Sequence, residues 1–148
     1  MKRSQARELA MRLCFALSEN PGSPQELLSQ TFDNDYYKSL YDEDELYMVK
    51  PSKKQLDYIT HIVTSVWEHS AELDDYIERY SVGWKFGRLA RMAVAIMNVA
   101  MFEVLYMPDV PDGVAINEAV EIAKKYEPSE TVSFINGVLG SFVSKEKI

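Results

Sequence analysis

An all-α fold, with about seven helices in two packed bundles and no sheet, is predicted for this chain by three observations. Apolar residues recur at helical spacing nearly from end to end, no alternation is long enough to build strands, and the six Gly and six Pro fall mostly between the periodic segments. A length of 148 residues allows one core without covalent staples. The expected organisation is a single domain over residues 1–148, with an N-terminal helical half at about 1–50 and a C-terminal half at about 51–148.

The first helix is predicted from about residue 3 to Ser18, ending before Asn20-Pro21-Gly22. A second starts at Ser23-Pro24-Gln25-Glu26, where Ser caps, Pro fits the first turn and Glu can close a capping box. Ser52-Lys53-Lys54-Gln55 offers the same device to a third helix carrying Leu56, Ile59, Ile62, Val63 and Val66. Between these lies an acidic excursion, residues 31–50, whose Tyr36, Tyr37, Tyr41 and Tyr47 point to a segment laid on the body of the protein. A short helix covers Leu73 to Tyr80.

The longest apolar run, residues 89–107, approaches the roughly 20 residues a membrane span requires, but Arg91, Asn98 and Glu103 interrupt it. It reads as a central core helix ended by Pro108 and Pro111. Two amphipathic helices follow. In the first, Ile116, Ala119, Val120 and Ala123 form the apolar stripe, with Asn117 and Glu118 read as serving the helix N-terminus and Glu121 with Lys125 as a solvated pair. In the second, Val132, Ile135, Leu139 and Phe142 form the stripe, interrupted by Asn136-Gly137, where glycine calls for a packing reason such as close helix approach.

Charge is segregated. The whole chain carries −7, residues 33–47 carry −5, and residues 1–12 carry +3 from Lys2, Arg3, Arg7 and Arg12 against Glu8. An acidic protein can therefore present a local basic footprint. Enzymatic chemistry finds no support. His61 and His69 lack ligand spacing for a metal, Cys14 sits on the apolar stripe of the first helix, and no phosphate loop or dinucleotide fingerprint implies a cofactor. No export signal is read at the N-terminus, so a cytoplasmic protein is expected.

Projected at about 100° per residue, the first helix places Phe15 opposite the stripe of Ala6, Ala10, Leu13 and Leu17, beside Ser4, Met11 and Arg12 with Arg7 at the near edge. An outward aromatic among arginines suits stacking of a single-strand base with phosphates held by guanidinium groups. Packing of Phe15 beneath the Tyr-rich excursion or another helix is the competing reading. On the last helix Phe134 is likewise off the stripe. Trp84 reads as a core anchor.

The pair Ile116-Asn-Glu-Ala119 and Phe134-Ile-Asn-Gly-Val-Leu139, with Trp84 and the run Arg88-Leu-Ala-Arg91 to Phe102-Glu103, resembles the NusB family of bacterial transcription antitermination factors over nearly the whole chain. The resemblance implies a non-catalytic factor that binds boxA-type single-stranded RNA of nascent ribosomal RNA transcripts together with ribosomal protein NusE. The pair would then join the RNA polymerase elongation complex with other Nus factors, away from any membrane. It places the RNA surface at Lys2, Arg3, Arg7, Phe15 and Phe134, to which the projection adds Arg12. The chain departs from the family pattern in having fewer arm arginines than strongly basic relatives, Ser133 where a Lys can precede Phe134, and Asn98 in place of the usual Arg. A protein-only helical adaptor, its acidic excursion recruiting a basic partner, is the alternative.

Overall fold

Residues 1–83 and 89–147 are described by the computed structural model, and all regular structure among them is helical. The expectations for Trp84 and Arg88 lie outside the described residues. The chain divides into two compact units, Met1–Trp67 and Glu68–Ile148. The division expected near residue 50 therefore falls one helix later, because the helix that follows Pro51 belongs to the first unit.

In the first unit, α1 spans Arg3–Glu19 and buries Ala6, Leu9, Ala10, Leu13, Cys14 and Leu17, as the stripe requires. Its first turn is secured by Gln5, whose Oε1 accepts the Lys2 backbone N–H at 2.7 Å, and its last by Asn20 N–H donating to the Ala16 carbonyl at 2.9 Å. Burial pushes the Cys14 thiol up to about 12, which keeps it protonated and inert at neutral pH. α2 (Pro24–Thr31) starts with Pro24 in its first turn and Ser23 Oγ accepting from Glu26 N–H at 3.3 Å. α4 (Lys53–Glu68) carries the full reciprocal capping box: Gln55 N–H donates to Ser52 Oγ at 3.2 Å, and Ser52 N–H to Gln55 Oε1 at 2.9 Å.

The acidic excursion is ordered by its own caps, and it supplies the helix that raises the expected seven to eight among the described residues. Asp33 accepts from Tyr36 N–H at 3.1 Å to start α3 (Asn34–Ser39), and Asp44 accepts from Leu46 N–H at 2.9 Å to start a 3-10 turn over Glu45–Met48. Tyr37 is only 3% exposed. Its ring stacks on Phe32 at 5.7 Å, meets Tyr47 edge-on at 5.8 Å, and its hydroxyl donates to the Val49 carbonyl at 3.1 Å. Asp, usually a helix breaker, here builds the segment by capping.

In the second unit, α5 (Ser70–Tyr80), α6 (Arg91–Tyr106), α7 (Asp112–Tyr126) and α8 (Ser129–Glu146) pack with α6 against all three others. α6 is buried along most of its length, the sequence's central core helix, and no described helix is long and apolar enough to cross a membrane. Glu103, on this helix, is fully buried. Asn98 is buried too and turns inward: its Nδ2 donates to Asp74 Oδ1 of α5 at 3.3 Å, while its Oδ1 has no hydrogen-bond partner among the described residues. The Asn98 side chain is thus engaged in internal packing.

Burial raises the Asp74 carboxyl above the ordinary value, and the hydrogen bond from Asn98 only partly opposes it. A raised carboxyl pKa means that the native state prefers the protonated form. Asp74 therefore supports stability most below its unfolded pKa and loses that support as pH rises through its folded one. Asp74→Asn keeps an oxygen acceptor for Asn98. In urea melts it is expected to be at least as stable as the parent at neutral pH and to lose that advantage in mild acid; the opposite order contradicts this reading.

Two helix readings need correction. α7 begins at Asp112, so its first-turn acid is Asp112, and Asn117 lies beyond the capping positions, exposed to solvent. Its buried stripe is Ala115, Ala119, Ile122 and Ala123, and Glu121 pairs with Lys124 at 3.0 Å on the exposed face. On α8 the stripe is Ile135, Val138, Leu139 and Phe142. Gly137 is exposed, and a Cβ built on it meets nothing within 4 Å among the described residues, so close approach of a described helix does not explain it. Gly137→Ala is accordingly expected to raise stability by about 1 kcal/mol, measured by urea denaturation; a loss would mean that the site is packed.

Candidate nucleic-acid interface

The basic end of the chain lies on the first unit, where residues at the start of α1 meet side chains of α4. Lys2 and Arg3 are exposed at the start of α1. The Arg3 guanidinium lies 3.9 Å from the centroid of the Tyr58 ring of α4, and Gln55 donates from Nε2 to the Met1 carbonyl, tying down the residue ahead of the arm. A guanidinium stacked on a ring keeps its edge N–H groups directed outward, suited to a phosphate. The N-terminal end of α1 adds its own positive partial charge.

Arg7 and Arg12 have other surroundings. Arg7 is 3% exposed and lies 6.0 Å from the same Tyr58 ring. The expectation of an outward Arg7 is therefore corrected: it backs the Arg3–Tyr58 pair from inside. Arg12 is directed to the acidic segment, with Nη2 2.6 Å from Asp44 Oδ2 and 3.6 Å from Glu8 Oε2, Nη1 3.4 Å from the Tyr47 hydroxyl, and its guanidinium carbon 5.5 Å from the Tyr47 ring centroid. Arg12, which the projection places on the outer side, is part-exposed and already held by two carboxylates and a phenol.

The off-stripe aromatics divide between the units. Phe15 is half-buried on α1 and Phe134 half-buried on α8, so neither is a core ring and neither is fully displayed. Met11, projected beside Phe15 on the outer side, is completely buried. Tyr58, Gln55, Asp44 and Tyr47 shape the basic end, a role that the sequence reading did not give them. All four reach it through contacts between residues distant in the chain, which no local pattern specifies.

Among the described residues no cluster of His, Cys, Asp and Glu could hold a metal ion. What the fold and this surface define is a helical protein with a small cationic and aromatic patch on an acidic body. The NusB family model matches residues 4–144. Transcription antitermination protein NusB of Acetivibrio thermocellus is 37% identical, covering 97% of this chain and 89% of that protein. The structure of T. maritima NusB is similar at a TM-score of 0.74 and 26% identity, covering 98% of this chain and 92% of that one. A crystal structure of antitermination factors NusB and NusE in complex with dsRNA shares the fold, with a TM-score of 0.74 at 20% identity over 96% of each chain. This chain belongs to the NusB family, a family of transcription antitermination proteins and not of enzymes.

Proposed function

We propose that this protein is a cytoplasmic antitermination factor that binds boxA-type single-stranded RNA of nascent ribosomal RNA transcripts together with ribosomal protein NusE. The pair joins the elongating RNA polymerase with other Nus factors. The observation that carries the RNA reading is the stacking of exposed Arg3 on Tyr58 at the start of the helix that also bears half-buried Phe15. Lys2 and Arg3 supply phosphate contacts. Phe15, about 18 Å further along α1 at the standard helical rise, supplies a ring for a different nucleotide, and Phe134 supplies a second ring from α8. Arg7 acts from beneath, positioning Tyr58.

Two exposed cations make few phosphate contacts, and the net charge of −7 repels polyanions. RNA affinity of the isolated protein is therefore modest, and NusE adds its own surface to reach tight, selective binding. One observation favours a second reading, the protein-only adaptor: of the four cations of residues 1–12, Arg7 is buried and Arg12 is already paired with carboxylates. The experiment is a titration of short boxA-type and scrambled RNAs with and without NusE. Preference for the boxA-type RNA, strengthened by NusE, is expected; NusE binding without any RNA binding would favour the adaptor.

A further inference from the structure

The contacts of Arg12 with Asp44 and Tyr47 match in composition those of an arginine with a bound nucleotide. Arg12 stands on α1 three residues before Phe15, and so on the same side of that helix. It receives an anion, the Asp44 carboxylate at 2.6 Å, and an aromatic group, Tyr47, whose hydroxyl is 3.4 Å from Nη1 and whose ring centroid is 5.5 Å from the guanidinium carbon. A stacked nucleotide offers an arginine the same two things, a phosphate oxygen and a ring.

The side chains of Arg12 and Asp44 retain 21% and 37% exposure, so the pair is open to solvent and to an incoming anion. Glu8 at 3.6 Å adds a second carboxylate, so the surroundings of this guanidinium are already more than neutralised. Leu46 and Tyr37, both buried, fix the segment in place and hold Asp44 at the pair.

From this geometry we infer that Arg12 is a phosphate site withheld from RNA by Asp44, which acts as an intramolecular phosphate mimic and sets the protein's RNA affinity low. The inference rests on the RNA-binding reading above. Asp44 gives way by turning its own side chain, because the buried anchors keep the backbone of the segment where it is. An incoming phosphate must replace the carboxylate, and the intrinsic gain is small while Asp44 keeps its charge.

The test uses the full chain and a short boxA-type single-stranded RNA, with binding followed by fluorescence anisotropy at two salt concentrations. Asp44→Asn keeps an oxygen acceptor for the Leu46 N–H and removes the competing charge. Asp42→Asn, at an exposed acid of the same segment, removes the same charge as a control for the general field. Arg12→Gln with Asp44→Asn removes the site itself, and circular dichroism melts check that every variant is folded.

Asp44→Asn is expected to bind RNA about 3- to 10-fold more tightly and to steepen the salt dependence by about one phosphate contact, or ~0.7 in the log–log slope for single strands. Asp42→Asn should give a clearly smaller gain, and the double variant should lose the gain of Asp44→Asn. If the wild type binds RNA but Asp44→Asn binds no better than Asp42→Asn, or if the double variant keeps the full gain, the withheld site is overturned and the RNA reading stands. Absence of RNA binding by the wild type and every variant overturns both.

Discussion

Phe15→Ala is expected to weaken RNA binding by roughly 1–3 kcal/mol, about 5- to 150-fold, while scarcely moving the melting temperature. The ring is half-buried and lies off the stripe of Ala6, Leu9, Ala10, Leu13 and Leu17, so its removal leaves the core of the first unit intact. Phe134→Ala, on α8, should behave in the same way because the stripe of that helix is Ile135, Val138, Leu139 and Phe142. A ring that belonged to the core would reverse the order, costing roughly 3–5 kcal/mol of stability. Anisotropy titrations and thermal melts on the same two variants separate the cases. Large destabilisation with unchanged RNA affinity in the folded protein would remove the stacking role and favour the adaptor.

Tyr37→Ala is expected to cost roughly 3–5 kcal/mol of stability, the range for removing a buried aromatic ring. Tyr37 loses its stack on Phe32, its edge contact with Tyr47 and the hydrogen bond to the Val49 carbonyl together. Charge alone suggests that residues 33–47 could be exchanged for a Gly-Ser linker without harm to RNA binding. The burial of Tyr37 and Leu46 makes that exchange a change to the core of the first unit, so single substitutions at Asp44 and Asp42 are the better probes of the segment's charge. A urea melt of Tyr37→Ala within about 1 kcal/mol of the parent would contradict the packing of this segment.

The parts of the fold that were legible in the sequence are those fixed within a turn or two of helix. Ser23 and the Ser52–Gln55 box declare their helices because a cap is a contact across three residues, and the run containing Ile96, Met97 and Val99 declares a core helix because it is apolar on every side. Projection failed where burial extends beyond the main stripe: Arg7, Glu8 and Met11 are all buried alongside the stripe residues of α1. Nor does periodicity reveal a partner far along the chain. Arg12 and Asp44 are 32 residues apart, and the pairing follows from the 3-10 turn that Asp44 itself caps. Lys2 and Arg3 are exposed, but the ring that orients Arg3 belongs to another helix.

The small cationic patch at the start of α1 is proposed to hold RNA phosphates, and the salt dependence of RNA binding by Lys2→Ala with Arg3→Ala tests this role. Both side chains are exposed, and neither contributes to the core, so the variant should fold and melt like the parent. Binding of a short boxA-type RNA should weaken, and the log–log salt slope should fall by up to about 1.4, corresponding to two phosphate contacts at ~0.7 each for a single strand. A folded variant with wild-type affinity and an unchanged slope would contradict the assignment of the RNA surface to this end of the helix.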